Sequence, residues 1–217
     1  SWLSLAWAQP QVEHLIAHPW KIDIEHSAES HRPVEVRTGT NWGYGLAAGL
    51  GLNYYRALSN KVDLRAGLSE QLTWAFLKLE HPYPYMMNMD VNMYTRATRL
   101  LAGVDYKYRR IPQNSILFVG GGLYSDILHH AQAQTKRNYI SGFQLEEFDM
   151  KEHFPALIPG FQIQAGLQGR IAKAELRYWE DIKTFALPTV PVGRQKRSGF
   201  GISISIYLRK GAAEKAE

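Results

Sequence analysis

"GFGISISIYLRK", Gly199 to Lys210, sets Phe200, Ile202, Ile204, Ile206 and Leu208 on one face of an extended chain. Gly201, Ser203, Ser205 and Tyr207 fall on the other. A soluble sandwich would turn the aliphatic face to a dry core and the small polar face to water. A membrane barrel would turn the aliphatic face outward to lipid and keep the polar face inside.

The same alternation recurs along the chain. "YGLAAGLGLNYYRAL" places Leu46, Ala48, Leu50, Leu52 and Tyr54 opposite Gly45, Ala47, Gly49, Gly51 and Asn53. After a turn at Ser59 and Asn60, "VDLRAGLSEQLTWAF" sets Leu64, Ala66, Leu68, Leu72, Trp74 and Phe76 against Asp63, Arg65, Gly67, Ser69, Gln71 and Thr73, which predicts a hairpin. "YTRATRLLAGVDYKY" turns through "RRIPQN" into "SILFVGGGLYSDIL", and "GFQIQAGLQGRIAKAELRYW" folds back in the same way. The polar faces carry Asp63, Arg65, Arg99, Asp105, Glu175 and Arg177, which a dry core would not collect but a narrow lumen can pair with one another. Tyr54, Trp74, Phe76, Tyr106, Tyr108, Tyr178 and Trp179 end several strands, where interfacial aromatic girdles lie. The aliphatic face is therefore read as lipid-facing; the competing expectation is a soluble, lipocalin-like ligand-binding barrel that is apolar inside.

Composition agrees without deciding. The 217 residues are 45% hydrophobic and contain no cysteine, so neither a disulfide framework nor a thiolate metal site exists. No apolar run reaches the length of a transmembrane helix, and barrel strands escape such a test. The net charge of +5 is mild, and the basic residues of "YRRIPQN" and "GRQKRSG" are read as turns and loops, so no nucleic-acid partner is expected. "SWLSLAWAQP" reads as the end of a signal-peptide core with the small-x-small site Ala6-Trp7-Ala8.

Connector lengths alternate. Those at Ser59 and Asn60, at residues 109 to 114 and in "LQGRIA" are short, whereas those near 78 to 91, 129 to 156 and 180 to 197 are long, as in barrels with short periplasmic turns and long external loops. An even strand number then calls for one strand before Trp42, and "PWKIDIEHS" supplies it. The expectation is an all-β, transmembrane, antiparallel up-and-down β-barrel of about eight strands over residues 20–210. It is preceded by a signal-peptide remnant (1–8) and an N-terminal periplasmic segment (9–19), and followed by a periplasmic tail (211–217).

On these hairpins and the closing strand "GFGISISIYL", residues 20–210 resemble the small outer-membrane β-barrel family that includes the OmpX-like and PorT-like proteins and the membrane domain of OmpA. The resemblance implies the outer membrane of a Gram-negative bacterium, contact with outer-membrane lipid and lipopolysaccharide, a lumen too narrow for an open pore, and no cofactor. It also implies a structural or accessory subunit of an envelope complex for secretion, assembly or uptake, with protein partners. A minority of such barrels modify lipid A.

For that hydrolase alternative the candidate segment is "EHSAESHRP", where His26, Ser27, Glu29 and His31 supply the groups of a Ser-His-acid site. Neighbours in sequence rarely meet that geometry, and a solvated loop is the plainer reading. His14 and His18 have zinc-ligand spacing without a third ligand, so no metal site is assigned. His129 and His130 are read as the start of a loop. Glu70 interrupts the aliphatic face of its strand, and Arg96 does so on the next. Either a β-bulge at Ser69 and Glu70 turns the carboxylate into the lumen, or both residues face a protein partner.

Overall fold

Backbone register carries the alternation of each strand onto its neighbours. The computed structural model describes residues 20–33, 41–80, 85–111, 115–169, 171–186 and 194–208. Within them lie β1 (Trp20–Pro33), β2 (Asn41–Ala57), β3 (Val62–Glu80), β4 (Met86–Ile111), β5 (Ser115–Tyr139), β6 (Gly142–Asp149), β7 (Leu157–Gln168), β8 (Ala172–Asp181), β9 (Phe185–Ala186) and β10 (Arg194–Tyr207), with a 3-10 turn at Lys151–His153. All pairings are antiparallel, in the order β1-β2-β3-β4-β5-β7-β8-β10, and β1 pairs with β10, with Ile22 opposite Ile206, so the sheet closes on itself. Of the ten strands, β6 pairs beside the far half of β5 and β9 beside the start of β10, which leaves eight around the barrel. The segments 1–8, 9–19 and 211–217, with His14 and His18, lie outside the described residues.

The opening stretch now has its answer. Ile202, Ile204 and Ile206 are 57%, 51% and 54% exposed, while Ser203 and Ser205 are fully buried. Leu46, Leu50, Leu68, Leu100, Leu123, Ile163 and Leu176 continue the exposed belt around the barrel. A lipocalin-like interior is thereby overturned, because the apolar residues are outside and the charges inside.

Beyond the belt the polarity inverts. Crossing lipid takes about 9–11 tilted residues, yet β4 has 26 and β5 has 25. In the outer half of β4 the inward residues are Met89, Val91 and Met93, all buried, while Asn88, Asp90 and Asn92 alternate with them on the other side. β3 changes in the same way, from inward Gln71 and Thr73 to inward Ala75 and Leu77. These residues pack with Met86, Leu128, Ala131, Ala133, Met150, Phe154 and Ile158 into one apolar plug. Water replaces lipid around this part of the wall, so apolar side chains gain by turning in.

Three expected loops therefore hold strand among the described residues. The stretch near 78 to 91 includes the ends of β3 and β4, that from 129 to 156 holds the rest of β5 with β6, and that from 180 to 197 includes β9 and the start of β10. "GRQKRSG" is likewise strand from Arg194 onward, with Arg197 buried. "EHSAESHRP" lies in β1 rather than in a loop. Trp179 is also corrected: it is buried in the lumen, edge-on to Tyr124, and is no girdle residue.

The inversion predicts opposite outcomes for one substitution on two stretches of wall. Ile204→Arg, in the belt, is expected to lower stability by about 2–4 kcal/mol. Asn92→Arg, above it, should stay within about 0.5 kcal/mol of the parent. Urea unfolding of the barrel in lipid vesicles checks both.

Candidate functional site

Two ion networks occupy the lumen. In the first, Lys173 Nζ lies 2.7 Å from Asp105 Oδ2 and 2.8 Å from Glu175 Oε2, and 4.0 Å above the Phe118 ring. Arg65 meets Glu175 at 3.2 Å and donates to Gln164 Oε1 at 2.5 Å, and Gln164 in turn donates to Asp105 Oδ1 at 2.6 Å. Arg177 pairs with the same Glu175 oxygen, and Lys107 pairs with Asp63 at 2.7 Å. Four cations thus face three carboxylates, all buried. The backbone makes room for them: a Cβ at Gly120 would run into the Asp105 carboxylate and the Val104 carbonyl.

The second network lies nearer the outer plug. Arg99 grips Asp126 with two bonds of 2.7 and 2.9 Å, and its guanidinium lies 4.0 Å from the Tyr124 ring centroid. Arg197 bridges Asp181 at 2.6 Å and Asp126 at 3.1 Å, while the Tyr124 hydroxyl donates to Asp181 at 2.8 Å. Two cations and two carboxylates balance. An eight-stranded barrel has an interior just wide enough for side chains, and with the plug above them these networks fill it.

The six lumen charges read from sequence are all buried, but they divide. Arg65, Asp105, Glu175 and Arg177 share the first network, Asp63 holds Lys107 beside it, and Arg99 belongs to the second. Sequence reasoning set Lys107 on the polar face beside Asp105 without counting it in the network, and missed Lys173, Asp126, Asp181 and Arg197. Lys173 precedes Glu175 by two, so strand alternation alone could have placed it.

A third cluster sits outside. The register of β3 runs unbroken through Ser69, Glu70 and Gln71, so the expected bulge there is overturned and Glu70 remains on the outer wall. The bulge lies across the sheet instead: Arg96 pairs with His130 and Ala97 with Leu128, which leaves His129 as the extra residue of β5. An inserted residue re-aims its neighbours. Here it leaves both His129 and His130 exposed between buried Leu128 and Ala131. His129 and His130 are accordingly in strand, not at a loop start.

Glu70 accepts from Arg96 Nε and, at 2.9 Å, from the Thr98 hydroxyl, which also meets His129 Nε2 at 2.6 Å. An ionised carboxylate can only accept, so the single Thr98 proton goes to Glu70 and the shared proton of the other contact belongs to His129 Nε2. The carboxylate therefore rests on the hydroxyl and not on the imidazole, and the order acid, imidazole, hydroxyl that activates a nucleophile is not formed. Trp74, Tyr94 and His130 form a row just above, with centroids 5.6 and 5.7 Å apart. A lipid-facing Arg costs about 2–4 kcal/mol at the bilayer midplane and about 0–1 near an interface. Arg96, two residues from Tyr94, stands at the inexpensive end, and Glu70 reaches up to it.

The four residues of the β1 candidate lie in succession along one strand. His26 pairs with Ala48 and Ile202, Ser27 with Ala47 and Gly201, Glu29 with Gly45 and Gly199, and His31 with Gly43 and Arg197. His26 and Ser27 hold consecutive positions, which belong to opposite faces of a sheet, whereas Ser27, Glu29 and His31 recur at every second position.

An apolar belt outside a closed sheet, with paired charges inside it, is the inside-out arrangement that lipid demands. The chain is an eight-stranded transmembrane β-barrel. No protein-family model matches the sequence, and no curated protein does. Among solved structures it is similar to Neisserial surface protein A, at 9% identity over 88% of this chain and 97% of that one, with a TM-score of 0.44. It is also similar to Ail, the attachment invasion locus protein of Yersinia pestis, at 11% identity over 89% of this chain and 100% of that one, with a TM-score of 0.37. For the outer-membrane enzyme PagL the values are 10% identity, 86% and 99% coverage and a TM-score of 0.38. Such likenesses concern the barrel fold.

Breaking a buried network is costly because the remaining partner stays buried and unpaired. Lys173→Met, which takes from the buried Asp105 its ion-pair partner, is expected to destabilise the barrel by about 3–5 kcal/mol. Lys196→Met, which removes the half-exposed pair with Glu180, should change stability by less than about 1 kcal/mol. Equilibrium unfolding followed by tryptophan fluorescence separates the two.

Proposed function

We propose that this barrel is non-enzymatic and non-conducting, and serves as a structural or accessory subunit of an envelope complex for secretion, assembly or uptake. The observation that carries the reading is the filled lumen: two ion networks and an apolar plug leave the outer surfaces as the places to act. Above the lipid belt, β4 and β5 extend into a sheet that β6 lengthens, and β6 pairs along one edge with β5. Its tip exposes apolar side chains to water, with Tyr85 84%, Ile140 88% and Phe143 64% accessible. Leu145 and Met87 are also exposed there. An exposed apolar patch with a strand edge beside it suits docking of a protein partner.

Two measurements test this reading. In planar bilayers the purified protein should give no stable conductance steps. In mild detergent the parent should carry a specific envelope protein that the Ile140→Ser, Phe143→Ser, Leu145→Ser triple variant loses, while the variant still migrates on a gel as a folded, heat-modifiable barrel. Large conductance, or retention of the same partner by the variant, would refute it.

A further inference from the structure

Glu70 and Arg96 set a carboxylate and a guanidinium side by side on the outer wall, with side chains 34% and 57% exposed. Arg96 meets Glu70 through Nε, and among the described residues nothing else accepts from its guanidinium. The pair thus reaches the surface with N–H donors left over, beside a carboxylate whose oxygens can each accept again. The wall around it is apolar. Leu68 and Leu100 face each other two residues below on the same two strands, Leu50 lies across from Glu70 on β2, and all three are exposed. Charges on a surface that excludes water are held cheaply only where opposite signs meet and their hydrogen bonds are made.

We propose that this wall is an interface between two copies of the chain, packed about a two-fold axis along the membrane normal, with Arg96 of each copy on Glu70 of the other. The patch is its own complement. Glu70 stands on β3 and Arg96 on the neighbouring β4, and because their side chains meet, both charges lie at one depth. A two-fold rotation about the normal exchanges left and right and leaves depth unchanged. It therefore sets each carboxylate opposite the other copy's guanidinium, as a two-fold interface requires of its residues. The result is a ring of two acids and two bases in alternation, balanced in charge, in which the remaining N–H groups of Arg96 find acceptors. Leu50, Leu68 and Leu100 then pack against the apolar wall of the other copy. An unrelated partner would have to carry an acid and a base at this depth and in this order, whereas a second copy inserted in the same direction carries them by construction. This interface is separate from the outer tip, so it holds whether or not a protein partner docks there.

The test uses the full chain in lipid vesicles. Because the sequence has no cysteine, Asn60→Cys in the short turn between β2 and β3 takes a single donor or acceptor dye. Energy transfer between differently labelled copies is then followed as the protein is diluted with lipid. The parent should keep its transfer at dilutions where random crowding no longer accounts for it. Arg96→Glu and Glu70→Arg, each alone, set like charges face to face and should need about tenfold more protein per lipid to associate, the scale of one charge-assisted hydrogen bond. Donor-labelled Arg96→Glu mixed with acceptor-labelled Glu70→Arg should regain the parental transfer, because the mixed pair restores both contacts between copies. The double variant Glu70→Arg with Arg96→Glu, which exchanges the charges and keeps the internal pair, should also match the parent. Transfer in the parent no higher than crowding gives, single variants that associate as the parent does, or a mixture that recovers nothing overturns the interface. So does a photocrosslinker at Leu68, beside the patch, that joins the chain in intact membranes to a different protein or only to lipid.

Discussion

Inside lipid no water is available to satisfy a backbone amide, so a sheet can stand there only if it has no edge. The pairing of β1 with β10 meets that demand, and it joins the first described strand to the last. Closure at eight strands then sets the diameter, and the diameter sets what the interior can be. A ring this narrow holds side chains rather than a water column. With the aliphatic residues required outside, the polar alternates have nowhere else to go. The paired charges are thus a consequence of closure, and their near balance in number is the condition for burying them together.

The wall changes solvent part-way along its length, and the chain answers without changing its period. β4 keeps strict alternation from Met86 to Ile111 apart from local irregularities, but lipid surrounds one half and water the other. The same inward phase that carries Arg99, Asp105 and Lys107 carries Met89, Val91 and Met93 further out. On β5 the matching adjustment includes the extra residue His129, which shifts the phase by one and leaves two imidazoles on the outer wall at the boundary. Polar residues on that wall are concentrated at this level, where they cost least.

How much of this was legible in the sequence follows from the same physics. Phe200 to Leu208 was readable because one solvent acts on each face throughout, and the six lumen charges stood out against aliphatic alternates. The outer half of β4 was not readable as strand, because "MNMDVNMYT" reverses its polarity and a reader following aliphatic-out alternation stops at the girdle. Arg197 was missed for the same reason at the start of β10, as was Asp181 at the end of β8. Glu70 was visible as a break in the pattern, with Arg96 of the next strand in the same polar patch, but the part of Thr98 and His129 was not. The bulge that brings His129 to Thr98 lies two strands away, and nothing local to Ser69 and Glu70 encodes it. Trp179 was misplaced because an aromatic beside Tyr178 at a strand end looks like girdle on either face.

The outer plug is unusual in its chemistry. Four of the chain's five methionines, Met86, Met89, Met93 and Met150, are buried in it, and Met87 is exposed beside them. Thioethers are flexible and polarisable, so this seal can repack around small displacements of the strands that form it. They are also oxidisable, and conversion to the polar sulfoxide is incompatible with an apolar packing. Met87 stands in the path of any external oxidant, while Met89 and Met150 are reached only when the mouth opens. The ratio of sulfoxide at Met89 to that at Met87 is therefore a built-in record of how often the outer end of the barrel breathes.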